Sequence, residues 1–169
     1  HEKGFGISRP TTHESVVYVM DSNPLFIQAY KTLARPSETP YVPLYPVAKP
    51  AQATAFLTWD EATKQHFNAK PESFNYNPDW PVWSFINTSN AVEYIHPAYE
   101  KNMKQVRSLE KELGKTVAKE LETAKELAKI SPQKAQEWLH AKNVEKFDKA
   151  QQAMQEAFEK LSPHEVLVL

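Results

Sequence analysis

The chain contains no cysteine, which excludes disulfides, thiolate metal sites and a cysteine nucleophile supplied by these residues. Glycine is nearly as scarce: Gly4, Gly6 and Gly114 are the only three among 169 residues, so no glycine-rich loop that could cradle a phosphate exists. No excess of charge of one sign is present either. Twenty basic and 21 acidic residues give a formal net charge of -1, without the electrostatic footprint of a nucleic-acid partner or an anionic membrane surface. The apolar runs all fall short of the roughly 20 residues that a helical bilayer span requires. His1-Glu2-Lys3-Gly4 lacks the apolar core of a signal peptide, and strand character begins soon after it, which predicts a trimmed N-terminus. Six histidines, His1, His13, His66, His96, His140 and His164, show no HExxH or paired spacing, so neither a metal nor a cofactor is expected.

Proline, by contrast, is abundant, with 13 residues. It concentrates after two apolar runs of strand character, Ser15–Met20 and Leu25–Lys31. The intervening Asp21-Ser22-Asn23-Pro24 combines side chains that hydrogen-bond to nearby backbone with a fixed φ, which predicts a β-hairpin. Ser15–Met20 is apolar at adjacent positions, the pattern of a strand buried between layers rather than solvated on one face. Two strands alone are marginal in water, so a larger sheet or a helical cover is expected. Pro36, Pro40, Pro43, Pro46 and Pro50 then predict an irregular segment, since each removes a backbone donor and restrains its predecessor.

Helical periodicity takes over in the second half. Thr58 and Glu61 have capping-box spacing for a short helix, and the Asn- and Pro-rich segment Asn68–Asp79 reads as loop. Trp80, Trp83, Ile86 and Val92 can share one helix face. From Ala98, the positions Tyr99, Met103, Val106, Leu109, Leu113, Val117, Leu121, Ala124 and Ala128 recur every three or four residues, the pattern of one long amphipathic helix. Ser131-Pro132 ends it and begins another, proline being suited to the first helical position. Ala135, Trp138, Leu139, Phe147, Ala150, Met154, Ala157 and Leu161 form the apolar face of the last helix. The two helices predict an antiparallel hairpin. His164–Leu169 reads as a short tail strand or apolar plug. The Ala/Lys/Glu-rich stretch Lys115–Lys129 reads as a solvated helix face. The expected organisation is a single domain: strands and Pro-rich loop over 1–50, short helices and an aromatic-rich loop over 51–97, the helical hairpin over 98–161, and a tail over 162–169.

Arg9, Thr11, Thr12, His13, Glu14 and Ser15 form the densest polar cluster, directly ahead of the first strand. As a structural loop, its hydroxyls cap the strand end. As a site, Arg9 clamps a carboxylate and His13 donates a hydrogen bond, with Thr12 beside them. Ser15 and His13 are not taken as nucleophile and base, on the expectation that strand alternation turns them apart. Trp59, Trp80, Trp83, Phe74, Tyr76, Tyr41 and Tyr45 are core or interface material, or the wall of a pocket for a peptide or sugar.

The ordered series GISRPTTHESVVYVM, then FIQAYKTLARPSETPYVPLYPVAKPAQA, then WPVWSFINT leading into a long helix, resembles the C-terminal part of the cysteine dipeptidases of the N-terminal-nucleophile hydrolase superfamily. The likeness covers about residues 6–110. It implies an α+β fold with strands of an αββα-type sandwich in the N-terminal half, followed by the long helical hairpin, and hydrolysis of dipeptides. In that family an N-terminal cysteine is the nucleophile and its own α-amino group the base. This chain starts at His1 and has no cysteine, so neither role transfers to any position here. The resemblance therefore implies a C-terminal domain without catalytic residues of its own, inactive in isolation and completed by an N-terminal catalytic portion. Arg9, Thr12 and His13 are its candidates for lining the substrate pocket or supporting the residues that do, and no metal, cofactor, nucleic-acid or membrane partner is expected. An alternative of another class is a noncatalytic interaction module whose hairpin stripe takes a partner helix or a second copy.

Overall fold

The structure, a computed structural model, describes residues 12–47, 81–92 and 97–160. Arg9, the capping box at Thr58 and Glu61, the Asn68–Asp79 loop, Trp59, Phe74, Tyr76, Trp80, Leu161 and the His164–Leu169 tail lie outside the described residues. Within them the fold is α+β: a three-stranded antiparallel sheet and a larger helical part.

Strands β1 (Glu14–Val19) and β2 (Gln28–Leu33) form the expected hairpin, in a register that sets Val17 opposite Tyr30 and Val19 opposite Gln28. The turn works as its side chains predict. Asp21 Oδ1 accepts from the Asn23 amide at 2.9 Å and Asn23 Oδ1 from the Leu25 amide at 3.0 Å, local bonds that stand in for backbone pairing. Leu25 and Phe26 belong to a 3₁₀ turn, Pro24–Phe26, rather than to the strand. Both are buried, so the turn inserts its apolar side chains into the helical layer.

The proline-rich segment is not wholly irregular, because it contains a third strand, β3 (Val42–Leu44), paired with β2. Pro43 sits inside it, which an edge strand permits because the missing N–H is not needed on the open side. Strand order is β1-β2-β3, and the helices lie mainly against β3 and β2. β1 is consequently not buried between layers. Val17 (53% exposed) and Val19 (45%) stand out on one face and Tyr18 (59%) and Met20 (73%) on the other.

Four helices are described: α1 (Pro81–Ala91), α2 (Tyr99–Gly114), α3 (Val117–Ile130) and α4 (Pro132–Glu159). The long helix expected from Ala98 is therefore two, divided at Lys115 and Thr116. Apolar spacing continues from Leu113 to Val117 across the division, so periodicity alone does not reveal it. Only Ser131 separates α3 from α4, and Pro132 takes the first helical position as expected. The Ser131 hydroxyl makes no capping bond.

Two apolar clusters fill the space between sheet and helices. Val42 and Ala34 join Phe85, Val106, Leu109, Leu113, Phe147, Ala150 and Met154, with Phe85 and Phe147 stacked at 6.0 Å between centroids. Leu25, Phe26 and Tyr45 join Ala124, Ala135 and Leu139. The face α1 turns inward overlaps the expected one only in part: Val92 is buried, Trp83 and Ile86 are half-buried, and Pro81, Ser84, Phe85, Thr88 and Ser89, which lie outside the expected face, are buried. Small hydroxyl residues let α1 approach α4 closely, and Thr88 Oγ1 donates to Met154 C=O at 2.7 Å.

Candidate functional site

Thr12 and His13, the described residues of the polar cluster ahead of β1, lie at the end of the sheet where β2 leaves it. The Ala34 amide donates to His13 C=O at 2.6 Å, extending the β1–β2 ladder by one pair. His13 is exposed and Thr12 half-buried. Ser15 lies two residues beyond His13 and so shares its face, contrary to the expectation that alternation separates them. Ser15 Oγ instead accepts from Tyr41 Oη at 2.8 Å across β2. No nucleophile and base pair is assembled from them.

Beside this corner the turn between β2 and β3 is held from within. Ala34 takes a left-handed φ of 63°, a conformation with a steric cost for a residue bearing Cβ. The chain then folds over the buried Arg35, whose Nε donates to Glu38 Oε2 at 3.0 Å and whose Nη2 donates to Ser89 C=O on α1. Thr39 Oγ1 lies 2.7 Å from Thr32 Oγ1 and 2.7 Å from Arg35 C=O. Asn102 on α2 donates to Glu38 C=O at 3.1 Å. Burial, and next the negative charge of Glu38, hold the Tyr99 phenol above its ordinary range, against opposing contributions from Arg107 and Ser37.

The far side of β3 is sealed by side chains from the helices. The Tyr41 amide donates to Glu110 Oε1 at 2.9 Å, and Arg107, which pairs with Glu110, donates to Pro36 C=O at 2.9 Å. At the other end the Tyr45 amide donates to Asn143 Oδ1 at 2.8 Å and Asn143 Nδ2 donates to Tyr45 C=O at 3.0 Å. The Tyr45 hydroxyl donates to Glu120 Oε2 at 2.6 Å, and the ammonium of Lys146 both bonds that oxygen and sits 5.0 Å from the centre of the Tyr45 ring.

Tyr45, Glu120 and Lys146 are all buried, and the three groups answer burial differently. Burial is the main cause that drives the Tyr45 phenol far above its usual range, with Glu120 adding to it. Burial also raises the Glu120 carboxyl, but hydrogen bonds from Lys146, Thr116 and Tyr45 together outweigh it and hold the group below the ordinary carboxylate range. At Lys146 burial outweighs the attraction of Glu120 and lowers the ammonium. Sequence reasoning missed this triad, since Glu120 lies in the stretch read as a solvated helix face. Its only signal is positional: Glu120 falls in the apolar row between Val117 and Ala124.

No known protein family, curated protein or solved structure matches this chain. The chemistry must therefore be read from the side chains alone. Among the described residues no group of three or more His, Cys, Asp or Glu side chains comes together to hold a metal ion. No described helix is long and apolar enough to cross a membrane. The buried polar side chains Arg35, Glu38, Asn102, Glu120 and Lys146 are bonded within the fold, whereas the buried Ser89 Oγ has no hydrogen-bond partner among the described residues. Among the described residues, His13 and much of strand β1 face outward, as do Val47 and Ile130.

Proposed function

We propose that this chain is the C-terminal part of a dipeptidase-like cysteine hydrolase, in which an N-terminal catalytic portion supplies the cysteine nucleophile and its amino-group base. In this reading β1 to β3 belong to one sheet of an αββα sandwich. α3 and α4, joined at Ser131, form the hairpin that caps it, and α2 leads into them. Thr12 and His13, with Arg9 ahead of them in the sequence, line the pocket for a dipeptide or hold the side chains that do. They do no bond-breaking chemistry.

The observation that carries the reading is the bond from Tyr41 Oη to Ser15 Oγ, 2.8 Å. It joins one residue from each of the first two of the three stretches that carry the family resemblance, at one corner of one sheet. The interaction-module alternative draws less support, because Val106, Leu109, Leu113, Leu139, Phe147 and Met154 from the hairpin stripes are buried within the chain.

The test is turnover of a dipeptide series. The isolated chain is expected to hydrolyse none, and joining it to a portion that begins with cysteine is expected to restore hydrolysis. Peptidase activity from the isolated chain would overturn the proposal, as would a joined protein that folds and stays inactive.

A further inference from the structure

The two edges of the sheet are built differently. In an antiparallel pair alternate residues turn both backbone groups toward the same neighbour. Tyr41 turns its amide to Glu110 on α2, and Tyr45 turns both of its groups to Asn143 on α4. By the same alternation Val42 and Leu44 pair with β2, and Pro43 faces outward with no N–H to offer. The outer edge of β3 thus exposes no unmet donor at Tyr41, Pro43 or Tyr45.

On the other side, β2 reaches β1 through Gln28, Tyr30 and Thr32, the residues opposite Val19, Val17 and Ser15. The bond from the Ala34 amide to His13 C=O has the same parity. Val16 and Tyr18 therefore present their N–H and C=O groups along the free edge of β1. Among the described residues nothing guards that edge. From Ser15 to Met20 it carries no charge, no proline and no bulge, the devices by which natural sheets blunt an edge that is meant to stay open. Glu14, at its start, is already neutralised by Lys31 at 3.0 Å.

Resting on the function proposed above, we infer that the N-terminal catalytic portion docks by pairing one of its strands with the free edge of β1, and that Val16 and Tyr18 make the backbone bonds. Two observations select this occupant. The described chain enters β1 directly from Thr12, and residues 1–11 lie ahead of it. Eleven residues reach at most about 40 Å, so any preceding portion is tethered beside this edge at high effective concentration. Exposure of Val17 and Val19 on one face and of Tyr18 and Met20 on the other also calls for a folded partner that covers both faces. A lone peptide strand would satisfy the edge and leave the faces bare.

Amide exchange followed by NMR at Val16 and Tyr18 tests this, in the isolated chain and in the protein joined in frame to the polypeptide encoded immediately ahead of residue 1. Protection at both amides should rise at least a hundredfold on joining. In a second arm, Tyr18→Pro removes one outward N–H without touching the β1–β2 ladder; it should leave the isolated chain folded and weaken association of the separately produced parts at least tenfold. Restored dipeptide turnover without protection of Val16 and Tyr18 would overturn the docking while sparing the proposed activity. Protection without turnover would uphold the docking and count against the activity. Concentration-dependent protection in the isolated chain, with a dimer mass by light scattering, would assign the edge to a second copy and overturn the inference.

Discussion

Asn143, in the middle of α4, holds Tyr45 by both of its backbone groups, accepting from its amide at 2.8 Å and donating to its carbonyl at 3.0 Å. A primary amide is the one side-chain group of this length that presents a donor and an acceptor side by side, so Asn143 completes β3 as another strand would. Asn143→Ala leaves both groups without their partner and should lower unfolding stability by about 2–3 kcal/mol. Asn143→Asp keeps the acceptor for the Tyr45 amide but sets a second acceptor against the Tyr45 carbonyl, so it should not restore the parent stability. Urea denaturation measures both, and an alanine variant within about 0.5 kcal/mol of the parent, the usual spread of surface substitutions, would remove Asn143 from this role.

The Glu120–Lys146 pair is buried, so its partners depend on each other more than they stabilise the fold. Taking two charges out of water costs nearly as much as their attraction returns, whereas removing one partner strands the other. Glu120→Leu alone should therefore cost about 3–5 kcal/mol. The double variant Glu120→Leu with Lys146→Met should recover most of that loss. A double variant as unstable as the single one would show that the pair is favourable in itself.

The same carboxylate gives the fold a dependence on acid. Its hydrogen bonds from Lys146, Thr116 and Tyr45 hold the folded-state pKa below the ordinary 4.5. The unfolded state then binds the proton more readily, so the stabilisation is fully present above about pH 4.5 and is lost as pH falls through the lower folded value. Comparing urea midpoints between pH 6 and pH 3, the parent should lose stability more steeply than the Glu120→Leu, Lys146→Met double variant. Equal slopes would show that other carboxylates govern acid unfolding.

Gly114 ends α2 where the sequence pattern runs on without interruption. A Cβ placed there meets nothing within 4 Å, and Lys115 after it keeps helical angles, φ -59° and ψ -29°. Gly114→Ala should stabilise the protein by about 0.5–1 kcal/mol through the reduced freedom of the unfolded chain. A rise in the melting temperature of about 1–4 °C is expected for a chain of this size. Unchanged or lower stability would mean that the division between α2 and α3 requires glycine.

Several features of this fold were legible in the chain because they are local. Asp21 and Asn23 announce their turn through bonds that span two residues, and Ser131-Pro132 announces a helix boundary through a ring that cannot sit inside one. β3 was not legible, because Pro43 argues against a strand unless its neighbours are known to lie on one side only. The exposure of β1 was hidden for a related reason: Val16, Val17, Tyr18 and Val19 read the same whether the layers that cover them belong to this chain or to another. Glu120 and Lys146 resemble the other Glu and Lys residues of their helices, and only the approach of α3 to α4 and β3 distinguishes them. Of the site candidates, Thr12 and His13 were found at the expected strand end, whereas the partnership of Ser15 with Tyr41 spans a third strand that the prolines concealed.

Arg35 is the last residue whose replacement separates geometry from charge. It is buried, and its planar guanidinium reaches Glu38 Oε2 through Nε and Ser89 C=O through Nη2 at once. Arg35→Lys keeps the positive charge but offers a single point that cannot face both acceptors in those directions. One acceptor is then left buried and unmet, at a cost of about 1–3 kcal/mol. The effect should be local as well as global. The amides of Glu38 and Thr39 donate to Arg35 C=O at 3.0 and 3.1 Å, so they should exchange faster once the side chain no longer pins the turn. The amides of Tyr30 and Thr32, which face β1, should slow or quicken only with global stability. Hydrogen exchange by NMR resolves the two sets, and uniform acceleration across both would show that Arg35 contributes to the core as a whole rather than to the turn that carries the chain from β2 to β3.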